Sequence, residues 1–340
     1  MGPGGHGTPL VSREAVYRWL IRWLRNGQGD FHEQPAKLYT NQELVVTRTG
    51  RVEDEPGSRK LYQLILDDFH SRKKPGSASD LAAELRTLQI ATDGSAPAVR
   101  ILDETDRAGF RLQHMAYESE PGIEIDAQLY VTPVSGRKPA VLLVAGKLSD
   151  ALAERIAQTG RVVLRLEPRH SAGPDYPRPF VGDWAANTRA DLIGRNLAAM
   201  RAHDILRGVD VLASRGDVDP GSIRAAAQGV KGVWLLLAAA ADARIRKVWM
   251  DKTPYRLAEA LENTLNTNLF DAVIPGFVLH WDLEDLTKAM GDRAVLWTDP
   301  TNWMGRVVAA GPRFQYRYVL GDLTDRSDAQ DNEYVRQLMQ

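Results

Sequence analysis

The chain has 340 residues, 44% of them apolar and 26% charged, which is typical of a globular protein that buries a full core. Its 43 basic and 44 acidic side chains give a net charge of −1, which excludes the basic footprint of a nucleic-acid-binding protein. The absence of Cys excludes disulfides, thiolate metal sites and a Cys nucleophile.

Neither a membrane span nor an export signal is predicted. No apolar run reaches the roughly 18 residues that a spanning helix needs. The opening letters, "MGPGGHGTPL", lack the basic and apolar regions of a signal peptide. The sequence therefore assigns no compartment, and export would require a signal outside this chain.

The first predicted element is an amphipathic helix over residues 12–26, with Trp19 and Trp23 on its apolar face. Two Trp on one short helix need a surface to cover them. Residues 27–80 are polar and mixed, with one strand expected at 43–47, and we interpret them as a linker that wraps. The domain boundaries expected from the sequence are thus 1–26, 27–80 and 81–340.

From residue 81 onward the pattern is regular. The apolar runs "PAVLLVAG" (139–146) and "RVVLRLEP" (161–168) flank a helical stretch, which is typical of a β-α-β unit in a parallel sheet buried on both faces. A long helix is expected over 188–213. The alternation predicts a doubly wound, mostly parallel α/β sheet with helices on both faces. Further strands are expected at 123–129, 223–227, 245–250, 293–299 and 315–320.

The turn at residues 228–232 has the form of a catalytic elbow. A short strand precedes it and a helix of small and apolar residues follows, as in the strand–turn–helix that holds a nucleophile in α/β-hydrolases. Gly229 occupies the tip. Glycine suits a strained turn, but it has no side chain with which to attack a carbonyl.

The order of elements over residues 80–340 resembles the α/β-hydrolase superfamily, and within it the acetyl-xylan-esterase-like branch of carbohydrate esterases. The segments that carry the resemblance are "GDVDPGSIRAAAQGVKGVWLLLAAAADARIRKVWM" and "VIPGFVLHWDLEDLTKAMGDRAVLWTDP". The resemblance implies a Ser at position 229, a carboxylate at Asp299 and a His after the last strand. Asp322 lies in the region of that His, and no His follows His280. The triad is therefore degenerate, with Asp299 as the one matching member.

Residues 2–24 resemble the last segment of the same esterases, where a catalytic His precedes a C-terminal helix. His6 matches that His. On this interpretation the chain is the tail of one hydrolase domain followed by a degenerate second one. The alternative is a glycine-rich start with an incidental His.

Other candidate residues follow the predicted strand ends, the edge at which α/β proteins bind ligands. No His pair has the short spacing of a zinc site, and no metal or cofactor is predicted. Trp303, in a turn, is the Trp expected to be exposed to a polysaccharide. The substrate-contact candidates are Gly146, Lys147, His170, Ser171 and Trp303.

Three functions remain open. The first is a catalytically silent hydrolase-fold module with a structural or substrate-binding role beside an active esterase domain. The second is a working carboxylic-ester hydrolase with a non-standard site. The third is a nucleotide-binding α/β domain that uses "GVKG" (229–232) as a phosphate turn, although G-x-G-x-x-G is absent. The expected partner is a preceding esterase domain or a second copy, bound through the Trp19/Trp23 helix.

Overall fold

The computed structural model describes residues 7–145, 150–169, 181–308, 336 and 338–340. The chain divides into a small unit, Met1–Lys60, and a large unit, Leu61–Gln340. The boundaries at 26 and 80 expected from the sequence stay a prediction. The helix that begins next to the second boundary contributes Leu81 and Leu85 to the core of the large unit.

The small unit contains helices α1 (Leu10–Leu24) and α2 (Asn41–Leu44) and a 3-10 turn at Val52–Asp54. No described side chain of this unit is buried. Trp19 and Trp23 are 60% and 61% exposed. The predicted strand at 43–47 is wrong, because Thr40 and Glu43 form a capping box that starts α2.

The large unit is built on one sheet. Its strands are β1 (Val99–Arg107), β2 (Phe110–Glu120), β3 (Ile123–Val131), β4 (Lys138–Val144), β5 (Val162–Leu166), β6 (Val218–Gln228), β7 (Ile245–Asp251) and β8 (Ala294–Thr298). They lie in the order β1-β2-β3-β5-β4-β6-β7-β8. The strands from β5 to β8 in that order are parallel, while β1, β2 and β3 pair antiparallel with their neighbours.

Helices cover both faces of the sheet. One cluster of buried apolar side chains includes residues of α4, α7 and α8, and the other includes residues of α5. The prediction of a doubly wound, mostly parallel α/β fold is therefore confirmed. The helices of the large unit are α3 (Leu61–Arg72), α4 (Ala78–Thr87), α5 (Asp150–Gln158), α6 (Trp184–Leu192), α7 (Leu197–Ala213), α8 (Lys231–Ala241), α9 (Glu259–Glu262) and α10 (Leu283–Ala289).

In the large unit, one prediction of secondary structure was wrong in detail and one hairpin was missed. The expected helix over 188–213 is two helices, because Gly194 has a positive φ of 71° and Asn196 caps a new helix with its side chain. The hairpin of β1 and β2 was not predicted. The side chains of β1 are mostly charged and exposed, so this strand shows no apolar alternation. None of the described helices is long and apolar enough to span a membrane.

Candidate site at the carboxyl edge of the sheet

The parallel strands place their carboxyl ends along one edge of the sheet. The chain runs from β4 to β5 on one side and then crosses to β6 on the other side of β4. Ligands of open α/β sheets bind at such a switch point, in the crevice outside the strand ends. The candidate site therefore lies between the ends of β4 and β6, where Ala145 and Gly229 follow the two strands.

Gly229 forms the turn between β6 and α8. Its φ is +64°, in the left-handed region that favours glycine. Its N–H donates to the carbonyl of Asp251 at 2.8 Å, and its own carbonyl accepts from the N–H of Gly232 at 3.0 Å. Among the described residues, no atom lies within 4 Å of the place that a Cβ at position 229 would take. The described part of the turn thus leaves room for a side chain at its tip, and the sequence supplies none.

Lys231, in the first turn of α8, extends into the crevice. Its side chain is only 11% exposed. Its ammonium donates a hydrogen bond to the carbonyl of Ala145 at the end of β4 and lies 3.6 Å from Oε1 of Glu167 at the end of β5. A cation at a helix N-terminus opposes the helix dipole, so these acceptors compensate its burial. The sequence pattern does not identify this contact, although a lysine in the first turn of a buried helix indicates a need for nearby acceptors.

A second polar group crosses β6, β7 and β8 at the same edge. Gln228, Asp251 and Thr298 are register neighbours on the three strands. The carboxylate of Asp251 accepts from Nε2 of Gln228 at 2.6 Å and from the hydroxyl of Thr298 at 2.8 Å. Thr298 in turn accepts from Nε1 of Trp249 at 2.9 Å. This buried network joins the ends of three strands, and sequence reasoning missed it because Asp251 belongs to no motif that we identified.

Asp299 directly follows β8, at the place where the resemblance puts a catalytic carboxylate. It is 1% exposed, and its φ of +50° is uncommon for a residue other than glycine. The N–H of Lys252, after β7, donates to the carbonyl of the preceding Thr298 at 2.9 Å. The structure therefore brings Asp299 to the same edge as Gly229.

The expectation that Trp303 is exposed was wrong. Its side chain is 2% exposed, its indole N–H donates to the carbonyl of Arg256 at 2.9 Å, and its backbone N–H donates to Glu259 at 3.0 Å. The turn after Asp299 folds inward over α9, so this Trp packs in the core and is not available to stack on a sugar ring.

The described His residues of the large unit lie on elements other than the elbow. Nδ1 of His203, on α7, lies 3.0 Å from the carbonyl oxygen of Ala91. Nδ1 of His280 lies 2.9 Å from the carbonyl oxygen of Lys74. Within the described ranges, no group of three His, Cys, Asp or Glu is placed to hold a metal ion. The remaining sequence candidates lie outside the described residues: His6, Gly146, Lys147, His170, Ser171 and Asp322.

No protein-family model and no curated protein matches the chain. Solved structures do match its fold. A protein provisionally named an acetyl xylan esterase from Bacteroides fragilis NCTC 9343 aligns with a TM-score of 0.59 at 13% identity, covering 77% of this chain and 80% of its own. An acetyl xylan esterase from Paenibacillus sp. R4 aligns with a TM-score of 0.56 at 14% identity, covering 82% of this chain and 99% of its own.

Acetyl Xylan Esterase 1 from Thermoanaerobacterium sp. JW/SL YS485 aligns with a TM-score of 0.50 at 14% identity, covering 71% of this chain and 83% of its own. These similarities agree with the mostly parallel, doubly wound sheet of this chain. The chain has the α/β-hydrolase fold of the acetyl-xylan-esterase-like structures.

Proposed function

We propose that this chain is a catalytically silent α/β-hydrolase-fold module with a structural or substrate-binding role beside an active esterase domain. The observation that carries the proposal is Gly229, which occupies the tip of the elbow at the switch point of the sheet. Nucleophilic catalysis of ester cleavage requires an attacking side chain at this point, and glycine offers none. Because the similar structures are named acetyl xylan esterases, the substrate class that we expect is an acetylated polysaccharide.

Lys231 supports the same conclusion. Its ammonium lies in the crevice and is held by the carbonyl of Ala145 and near the carboxylate of Glu167. These contacts give Lys231 a structural role, because they join the start of α8 to the ends of β4 and β5.

The missing base is a third, independent support. A serine nucleophile needs a neighbouring base, which is most often His. No His follows His280 in the sequence, and His203 and His280 contact backbone carbonyls on other elements. Two members of the triad are absent together, which one displaced residue does not explain.

A second candidate is an ester hydrolase with a non-standard site. Asp299 favours it, because a buried carboxylate with a positive φ at a strand end is the kind of strained residue that concentrates at active sites. In this case Asp299 would act without the elbow. We rank this second, since the sequence has Gly at position 229 and no His after His280.

Hydrolysis of 4-nitrophenyl acetate tests the choice. We expect the purified chain to match a heat-treated sample, and we expect Gly229→Ser to remain inactive and unlabelled by a fluorophosphonate, because no base activates the new hydroxyl. Turnover that Asp299→Ala abolishes would refute the silent module and support the second candidate. Asp219→Ala, at the opposite end of β6, serves as the control for an unspecific loss.

A further inference from the structure

A pocket of mixed polar and apolar lining, which includes Leu102, Met115 and Ala127, lies on the sheet face that packs against α5, toward the carboxyl end of β5. It has a volume of about 190 Å³. His114, Gln128 and Arg165 are register neighbours on β2, β3 and β5, so they form one row across three strands. Asp126 lies two positions before Gln128 and Glu167 lies two positions after Arg165. Both therefore project from the same face and form a second row.

The character of this face changes along the strands. Leu112, Tyr130 and Val163 lie beside the first polar row on the same face and are buried in the apolar cluster with α5. Two apolar side chains also share this face with the polar rows, Ala116 beside Asp126 and Leu143 beside Arg165. Because His114, Gln128 and Arg165 are only half-buried and Asp126 is exposed, their side chains are accessible to a ligand.

Three side chains of the pocket, those of Gln128, His114 and Asp126, keep unused hydrogen-bonding capacity. Oε1 of Gln128 accepts from Arg165 at 3.2 Å and from the hydroxyl of Tyr130 at 3.3 Å, which fixes the amide and leaves its NH₂ group to donate. Among the described residues, the side chains of His114 and Asp126 have no hydrogen-bond partner. The pocket therefore offers both donors and acceptors in fixed positions.

The charges in and beside the pocket balance. Within the pocket Asp126 and Glu167 are acidic and Arg165 is basic, and outside it the ammonium of Lys231 lies 3.6 Å from Glu167. A pocket with balanced charge and mixed donors and acceptors suits hydroxyl groups, which both donate and accept, better than it suits an ion. Its volume is below the roughly 300 Å³ at which pockets for drug-sized ligands begin, so it fits one small ring.

We propose that the pocket formed by His114, Asp126, Gln128, Arg165 and Glu167 binds one neutral sugar residue of an oligosaccharide. The proposal rests on the substrate-binding role proposed above and names its location and ligand class. Glu167 of the pocket lies 3.6 Å from the ammonium of Lys231, in the first turn of α8.

Isothermal titration calorimetry of the full chain with xylotriose tests the proposal. We expect binding by the wild type and a loss of affinity of about tenfold in Gln128→Leu, because the variant removes the donor and the fixed acceptor but keeps the volume. Gln113→Leu is the matched control. This control makes the same substitution on β2, but the side chain of Gln113 projects from the opposite face of the sheet. The variant should therefore bind xylotriose as the wild type does.

Asp126→Asn provides a second variant. Because Asp126 is exposed, this substitution should not disturb the packing of the core. We expect it to weaken xylotriose binding while the melting temperature stays unchanged. Equal affinities of Gln128→Leu and Gln113→Leu, no binding by the wild type, or tighter binding of trigalacturonate than of xylotriose would each overturn the proposal.

The same samples separate this proposal from the silent module. Ester turnover by the wild type together with loss of sugar affinity in Gln128→Leu would refute the silent module and support the pocket. No turnover and no sugar binding would support the silent module and refute the pocket.

Discussion

The two units use similar helices in opposite ways. In the large unit, α8 is apolar on all sides, and its residues from Lys231 to Ala239 are buried against the sheet and its neighbouring helices. In the small unit, α1 is amphipathic, and Val16, Trp19 and Trp23 remain more than half exposed on one face. The difference teaches that helical periodicity predicts the helix and its apolar face, whereas the burial of that face depends on strands distant in sequence.

The stabilising contacts of the two units differ in the same way. The small unit is held by polar contacts near its surface, such as the pair of Arg13 and Glu33. The large unit also contains buried ion pairs, such as that between Arg201 and Asp271.

The largest effect is expected from Arg201→Ala. The guanidinium lies 2.7 Å from Asp271, both side chains are 0% exposed, and it also stacks 4.4 Å from the ring of Trp234. Its removal leaves a buried carboxylate without its cation, which we expect to cost about 3–5 kcal/mol in the free energy of unfolding. Urea denaturation followed by circular dichroism measures this cost. Arg13→Ala, in the exposed pair, should leave the transition unchanged, and equal shifts would contradict the comparison.

A somewhat smaller effect is expected from Leu236→Ala in α8. Leu236 is 0% exposed, so the variant leaves a cavity and should lower the free energy of unfolding by about 2–4 kcal/mol. Leu24→Ala in α1 makes the same substitution at a side chain that is 76% exposed, and it should change stability by less than about 0.5 kcal/mol. Equal costs of Leu24→Ala and Leu236→Ala would contradict the exposure of Leu24 in the small unit.

Two glycines of the elbow should respond to alanine for different reasons. A Cβ at Gly232 would lie 1.9 Å from Oγ1 of the buried Thr253, so Gly232→Ala should cost about 1–3 kcal/mol through overpacking. A Cβ at Gly229 would meet no atom of the described residues within 4 Å. Gly229→Ala should therefore lower the free energy of unfolding by only about 1–2 kcal/mol, because alanine disfavours the positive φ at this position. Combining Gly232→Ala with Thr253→Gly should recover stability by removing the clash. If the double variant gains nothing, the close contact is not the cause.

Much of the fold was predictable from the sequence, because the buried parallel strands are continuous apolar runs and the turn at Gly229 carries its own signal. The hairpin of β1 and β2 was not, since the charged side chains of β1 hide the strand. The site was only partly predictable. The positions of Gly229 and Asp299 after β6 and β8 follow from the strand pattern, but the contact of Lys231 with Ala145 spans 86 positions. The burial of Trp303 was not predicted, because turn residues indicate only the local backbone conformation. They do not indicate the hydrogen bond that Glu259 accepts from the backbone N–H of Trp303.

The smallest effect concerns the polar contact that orders the small unit. Hydrogen bonds from the Arg13 guanidinium lower the pKa of the Glu33 carboxyl below its ordinary value. A lowered pKa in the folded state means that the contact stabilises above the ordinary pKa of glutamate and is lost as the pH falls through the folded value. In a carbon-detected NMR titration, we expect Glu33 to titrate below the ordinary value and to return toward it in Arg13→Ala.

Glu43 is the internal control for that titration. Hydrogen bonds from the backbone and hydroxyl of Thr40 lower its pKa, and Arg13 contributes nothing to that shift. In Arg13→Ala its titration should therefore be unchanged while that of Glu33 moves. If both carboxyls already titrate at the ordinary value in the wild type, the small unit lacks these local contacts as well as a core. Its order would then require a covering partner, and the contrast with the large unit would be sharper than the polar contacts suggest.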